Sequence, residues 1–119
     1  MPVNAILLVN GGYALQLRDV NVEKCPGMWG CFGGSIEPNE TDEAALRREI
    51  YEELELLMGR LEHVVTLDDV KFYSADVSER WRAHRLHEGQ KAQVFAFHEL
   101  PENISPLAKQ AIERHHAKT

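Results

Sequence analysis

Residues 33–56 read GGSIEPNETDEAALRREIYEELEL, and the spacing inside this stretch decides what the rest of the chain must build. A double glycine, Gly33-Gly34, leads into a loop containing Pro38, and a helix-like run follows. Thr41 is placed to cap that helix, and Asp42 and Glu43 suit the positive end of its dipole. Because a helix turns about 100° per residue, Glu49, Glu52 and Glu53 fall within a sector of about 100°. Leu46, Ile50 and Leu54 form a second stripe centred roughly 110° away on the same helix. One side therefore packs on a core while the carboxylate side faces a cleft. Carboxylates about 6 Å apart repel by roughly 3 kcal/mol per pair at an effective dielectric near 20. A divalent cation reverses that sign, and hard cations such as Mg²⁺ prefer oxygen ligands.

An acidic helix face taken alone is usually solvated surface. Here it stands in register with Gly34, Glu40 and Arg48, which points to a metal platform. The register resembles that of the Nudix hydrolases, G-x5-E-x7-R-E-U-x-E-E-x-G-U with U a bulky aliphatic. Gly34, Glu40, Arg48, Glu49, Ile50, Glu52, Glu53 and Leu56 match it. Glu55 departs from it, standing where the family has glycine, and Phe32 precedes the motif where the family commonly has proline. The family's glycine ends the helix in a left-handed turn. With Glu55 in its place, the helix is expected to run on through residues 56–58 to Gly59.

The resemblance implies Mg²⁺ or Mn²⁺ held by Glu49 and Glu53, with Glu52 a ligand or a water-mediated partner and the Gly34 carbonyl a backbone ligand. Arg48 would neutralise and orient a neighbouring glutamate. Glu40, ahead of the helix, either joins the site or braces the loop. Gly33 and Gly34, lacking a Cβ, would let backbone approach metal and phosphate. Arg18 sits where the family often has a phosphate-binding basic residue; a surface arginine is the plain alternative. Glu88 lies in the late loop from which some family members recruit a base or metal partner, so the proton acceptor is either a helix glutamate or Glu88.

The remaining candidates come from residue type alone. Trp29, Phe32, Tyr73 and Trp81 offer faces for a nucleobase, although aromatic side chains more often serve the core. Arg80, Arg82, Arg85, His84 and His87 make a basic run suited to phosphate or phosphoribose, or simply to solvent.

Composition narrows the classes. With 119 residues, 44% hydrophobic and 27% charged, residues 1–119 fit one globular domain with its own core. A formal charge of −6 argues against broad attachment to a nucleic acid polymer, though a bound cation and a few arginines suffice for a nucleotide. The apolar run at residues 5–9 is too short to span a bilayer, and residues 1–4 carry no signal-peptide pattern. A cytoplasmic protein with free thiols at Cys25 and Cys31 is expected. Family members are often homodimers, so the resemblance leaves a homodimer open.

In chain order, residues 5–9 read as a strand buried on both faces, Asn10-Gly11-Gly12 as a hairpin turn, and residues 13–18 as its alternating partner. Residues 19–32 read as loop. Residues 61–67 and 70–77 read as strands joined at Asp68-Asp69, and 78–90 as one helical turn and loop. Residues 92–97 read as a strand, and 107–116 as a helix with Ser105 as cap and Pro106 at its first position. The order ββ-α-βββ-α gives an α+β fold, which the resemblance sharpens to an α/β/α sandwich with a mixed β-sheet between helices. The implied activity is Mg²⁺-dependent hydrolysis of a pyrophosphate bond in a nucleoside diphosphate linked to another moiety. A nucleoside triphosphate, including an oxidised one, and a nucleoside diphosphate sugar both fit. Two other classes compete: a non-catalytic nucleotide or metabolite sensor, and an acidic interaction domain stabilised by metal.

Overall fold

Strand β1, Pro2–Val9, is the axis of the fold, as its apolar sequence requires. A computed structural model describes residues 1–119. Val3, Ala5, Leu7 and Val9 point to one face of β1 and Ile6 to the other, all buried. The Asn10-Gly11 turn returns the chain as β2, Gly12–Leu17, antiparallel to β1. Short strands β3, Trp29–Gly30, and β4, Phe32–Ser35, come next. The first pairs with β2 and the second with the N-terminal half of β1, placing Gly33 opposite Asn4 and Gly34 opposite Val3.

After helix α1, Asp42–Leu54, strands β5, Glu62–Leu67, and β6, Val70–Asp76, form the expected hairpin. Asp68 and Asp69 both take positive φ, 48° and 63°, as this tight turn demands. Strand β6 runs parallel to β1 while every other pair of strands is antiparallel, so the sheet is mixed. Strand β7, Lys91–Phe95, adds to β2 and stops short of Phe97, which enters a 3-10 turn at Phe97–Glu99. Helix α2, Pro106–Ala117, starts at Pro106 as read, but the Ser105 side chain makes no capping hydrogen bond.

Two cores lie on opposite faces of the sheet. Helix α1 buries Ala45, Leu46, Ile50 and Leu54 against one face, with Phe32, Ala75 and Val77. Helix α2 buries Ala108, Ala111 and Ile112 against the other, with Trp29, Val65 and Phe72. The architecture is the α/β/α sandwich around a mixed sheet. Neither helix is long and apolar enough to cross a membrane.

The end of α1 corrects an expectation. The helix does not run on to Gly59; it stops at Leu54, and Glu55 takes the left-handed conformation at φ 54°, ψ 35°. The cause is burial of the residues that follow. Leu56 lies seven residues, about two turns, beyond Glu49, so a continuing helix would return it to the carboxylate face. Turning at Glu55 instead sends Leu56 and Met58 into the core beside Leu54. That burial outweighs the roughly 1–2 kcal/mol cost of a left-handed non-glycine residue. Arg47 secures the new direction by donating to the carbonyls of Met58 (2.5 Å) and Gly59 (2.8 Å).

Candidate metal and substrate site

The helix glutamates split into an inward pair and an outward member. Glu53 is only 2% exposed, and the Glu49 side chain 17%, whereas the Glu52 side chain is 57% exposed. The inward pair abuts the Gly33-Gly34 segment of β4. Gly33 donates its N–H to Glu53 Oε1 at 3.2 Å. Strand β4 and helix α1 approach so closely that a Cβ on Gly34 would collide with the Glu49 carboxylate, while a Cβ on Gly33 would collide with the Val3 carbonyl and Asn4 of the neighbouring β1. The double glycine is a requirement of these two contacts rather than of a turn.

Arg48 organises the carboxylates. Its guanidinium donates to both oxygens of Glu40, Nε to Oε2 at 2.8 Å and Nη2 to Oε1 at 2.9 Å. Its Nη1 reaches Glu49 Oε1 at 3.1 Å and Glu52 Oε1 at 3.2 Å, and its Nη2 the Ser35 carbonyl. The two-pronged grip is the geometry that favours arginine over lysine. Glu40 also accepts from the Glu37 N–H at 2.9 Å, so it braces the loop. The Arg48 hydrogen bonds hold the Glu40 carboxyl down at about 2, well below the ordinary range. Glu53 goes the other way. Burial pushes its carboxyl far above the usual value, the neighbouring charges of Glu88 and Glu49 add to this, and the Gly33 N–H opposes it.

Glu88 is brought in by the loop between β6 and β7, whose 3-10 turn at Trp81–Ala83 matches the reading. Arg85 N–H donates to the Leu54 carbonyl at 2.9 Å and His87 N–H to that of Glu53 at 2.8 Å. These donors satisfy carbonyls that a helix end leaves open. Glu88 then lines a cleft of about 520 Å³ together with Arg18, Gly33 and Gly34. Arg18 is thus on the same side as the double glycine, its Nε donating to the Lys24 carbonyl at 2.8 Å. The lining also includes the apolar side chains of Phe72, Pro106 and Leu107.

Several sequence candidates fall elsewhere. Phe32 has no exposed surface and belongs to the α1 core, so stacking on a base is ruled out. Trp81 packs against that core and stacks on His84 at 4.0 Å between ring centroids, outside the cleft lining. Trp29 is buried in the α2 core, and the Tyr73 hydroxyl donates to Asp42. Part of the basic run is spent locally: Arg80 donates to the Leu57 carbonyl and His87 pairs with Glu55. Sequence reasoning missed Asn4, Lys24, Phe72 and Leu107 as cleft residues. The one available signal was Asn4 itself, a polar residue opening an apolar strand.

The donor set suits a hard cation. Glu53 Oε2 is a buried oxygen with no hydrogen-bond partner, and its carboxyl lies against that of Glu49. Buried polar atoms are rarely left so, and a cation beside two carboxylates would satisfy it while removing their repulsion. No three acidic, thiol or imidazole side chains converge into a ready-made cage. The residues that fit are Glu49 and Glu53, with the Gly34 backbone adjoining.

Comparison with known proteins agrees with this architecture. A model of the NUDIX domain matches residues 2–115. The nucleoside triphosphatase NudI of Salmonella agona is 38% identical over 68 residues, covering 55% of this chain and 48% of that protein. The chain thus spans about half the length of the curated relative it matches. The NUDIX domain of Shewanella oneidensis NrtR, solved with ADP ribose, superposes with a TM-score of 0.78 at 18% identity, over 98% of this chain and 86% of that one. A C. elegans Ap4A hydrolase gives 0.78 at 15% identity, over 99% and 97%. These two share the fold.

Proposed function

The chain belongs to the NUDIX domain family, and on that premise we propose that it is a divalent-cation-dependent pyrophosphohydrolase of nucleotides. It would cleave a phosphoanhydride bond in a nucleoside diphosphate linked to a further moiety. The observation that carries this reading is the buried, unpartnered Glu53 Oε2 beside Glu49, held against the Gly33-Gly34 segment that lines a cleft with Arg18 and Glu88. A satisfied structural carboxylate would have no reason to keep an empty lone pair in the interior.

Mg²⁺ or Mn²⁺ at this point would neutralise the diphosphate and lower the pKa of a water. Glu49 and Glu53 would hold it, with Glu52 acting through water. Arg48 keeps Glu49 and Glu52 in place by hydrogen bonds already made within the chain. The Gly33-Gly34 backbone leaves room for phosphate, and Arg18 meets the non-reacting end of the phosphate chain. Glu88 accepts the proton of the attacking water. Catalysis in such a site is positioning and charge stabilisation, with water attacking phosphorus in line with the leaving phosphate.

Because the Salmonella relative is a nucleoside triphosphatase, nucleoside triphosphates, ordinary and oxidised, are the first substrates to test, followed by nucleoside diphosphate sugars. The expected products are a nucleoside monophosphate with pyrophosphate, or with the sugar phosphate, identified by mass in the presence of Mg²⁺ or Mn²⁺. Binding of nucleotide without turnover of any panel member would reassign the chain as a nucleotide-binding module.

A further inference from the structure

Glu55 stands at a left-handed position that suits glycine, yet its side chain is engaged. Its carboxylate pairs with His87 Nε2. The backbone of His87 is tied to the same helix end, through its N–H to the Glu53 carbonyl at 2.8 Å. Three residues on, Gln90 is tied to the end of β2, its N–H to the Leu17 carbonyl at 2.8 Å and its Nε2 to the Arg18 carbonyl at 3.0 Å. Glu88 therefore lies between two anchors on different elements, and it faces the cleft that Gly33 and Gly34 also line. These backbone anchors are hydrogen bonds of 2.8 Å to residues distant in sequence, and between them the chain has only two residues, 88 and 89.

We propose that Glu55 is a positioning residue: by holding His87, it fixes residues 85–90 so that Glu88 is presented to the cleft that Gly33 and Gly34 line. The carboxylate contributes this side-chain anchor at a position where backbone geometry alone favours glycine. The pair is half-exposed on both sides, so its effect on global stability is small. Its effect is local order in the loop that carries Glu88. The role in turnover rests on the hydrolase reading above, whereas the anchor itself does not.

The test compares E55G, E55Q and H87A with the wild type by amide hydrogen exchange on metal-free protein and by steady-state kinetics on the substrate found in the nucleotide panel. In E55G the melting temperature stays level or rises, because glycine fits the left-handed turn. Exchange across residues 84–90 accelerates about tenfold or more while the β-sheet is unchanged. Its kcat falls about tenfold with KM within about twofold, the pattern of a lost arrangement at the reacting centre rather than of lost binding. E55Q, whose amide oxygen still accepts from His87, recovers most of both. H87A matches E55G in exchange and in kcat, and the double variant loses no more than either single one. Unchanged exchange in E55G overturns the anchor. Accelerated exchange with unchanged kcat overturns the presentation of Glu88. A wild type that turns over no nucleotide refutes the hydrolase reading instead, and the exchange measurement then decides the anchor alone.

Discussion

Gly33 donates its backbone N–H to Glu53 Oε1 across 3.2 Å, and the other oxygen of that carboxylate is buried without a partner. One oxygen of the group is therefore fixed by the strand, while the other is left facing the Glu49 carboxyl. The stability of the metal-free protein should register this. Glu53 has its carboxyl raised in the folded state, so the folded protein holds this proton more tightly than the unfolded one. Its contribution is neutral below the ordinary carboxylate range and becomes a cost as pH rises above it. Glu53→Gln keeps the acceptor for Gly33 and removes the charge. The metal-free variant should melt about 4 °C or more above wild type near pH 8, equivalent to about 1 kcal/mol, with the gap closing below about pH 4.5. Thermal unfolding across that range checks it, and a variant less stable than wild type at every pH would contradict the assigned burial cost.

The same substitution has the opposite effect on turnover. Without the Glu53 charge, kcat with Mg²⁺ should drop by at least about 100-fold while the fold survives. Wild-type activity in purified Glu53→Gln protein would remove Glu53 from the site.

Arg18 is expected to act on binding rather than on the chemical step. It lines the cleft with the double glycine, and a charge-assisted hydrogen bond to phosphate is worth roughly 1.5–3 kcal/mol. Arg18→Ala should raise KM about tenfold or more and change kcat less. A normal KM in the variant would exclude Arg18 from the phosphate grip.

What the sequence revealed depended on how local each feature is. The Glu49, Glu52 and Glu53 sector follows from helical periodicity alone, and the Thr41 cap and the Asp68-Asp69 turn from residue chemistry at one position. The helix end was misread because glutamate has good helix propensity, and nothing nearby in the chain announces that Leu56 and Met58 belong in the core. The division of the glutamates into an inward pair and an exposed Glu52 is set by the approach of β4, a contact far away in sequence. Phe32 looked available because it lies beside the motif, but β4 turns it into the α1 core. The cleft is the least legible part. Asn4, Phe72 and Leu107 come from β1, β6 and α2, and only the assembled sheet with α2 packed on it brings them together.

The Arg48–Glu40 fork predicts the acid limb of stability. Glu40 has its carboxyl lowered to about 2, chiefly by the Arg48 hydrogen bonds. A depressed folded value means the stabilisation is complete above the ordinary carboxylate value and is lost as pH falls towards 2. The difference in unfolding free energy between wild type and Glu40→Gln should be constant near neutrality and shrink on acidification, reaching zero only at the bottom of that range. Denaturant unfolding at a series of acidic pH values reads it directly. A difference that is unaffected by acid would mean that the fork adds nothing through ionisation.

The two adjacent glycines separate fold from site. At Gly33 an added methyl would meet backbone, the Val3 carbonyl and the Asn4 Cα, which are held in the sheet and have no room to yield. Gly33→Ala should therefore destabilise the protein by about 1–3 kcal/mol or fail to fold. At Gly34 the nearest atoms an added methyl would meet all belong to the carboxylate of Glu49, the far end of a flexible side chain. Glu49 can swing away, so Gly34→Ala should fold with a melting temperature within about 3 °C of wild type. The swing takes Glu49 off Glu53 and off Arg48 Nη1, breaking the inward pair. Mn²⁺ titration by calorimetry should then show at least about a tenfold loss of affinity in a protein that is otherwise intact. Undiminished Mn²⁺ binding by well-folded Gly34→Ala would mean that the inward Glu49 is not a ligand, and that the close approach of β4 to the helix serves packing alone.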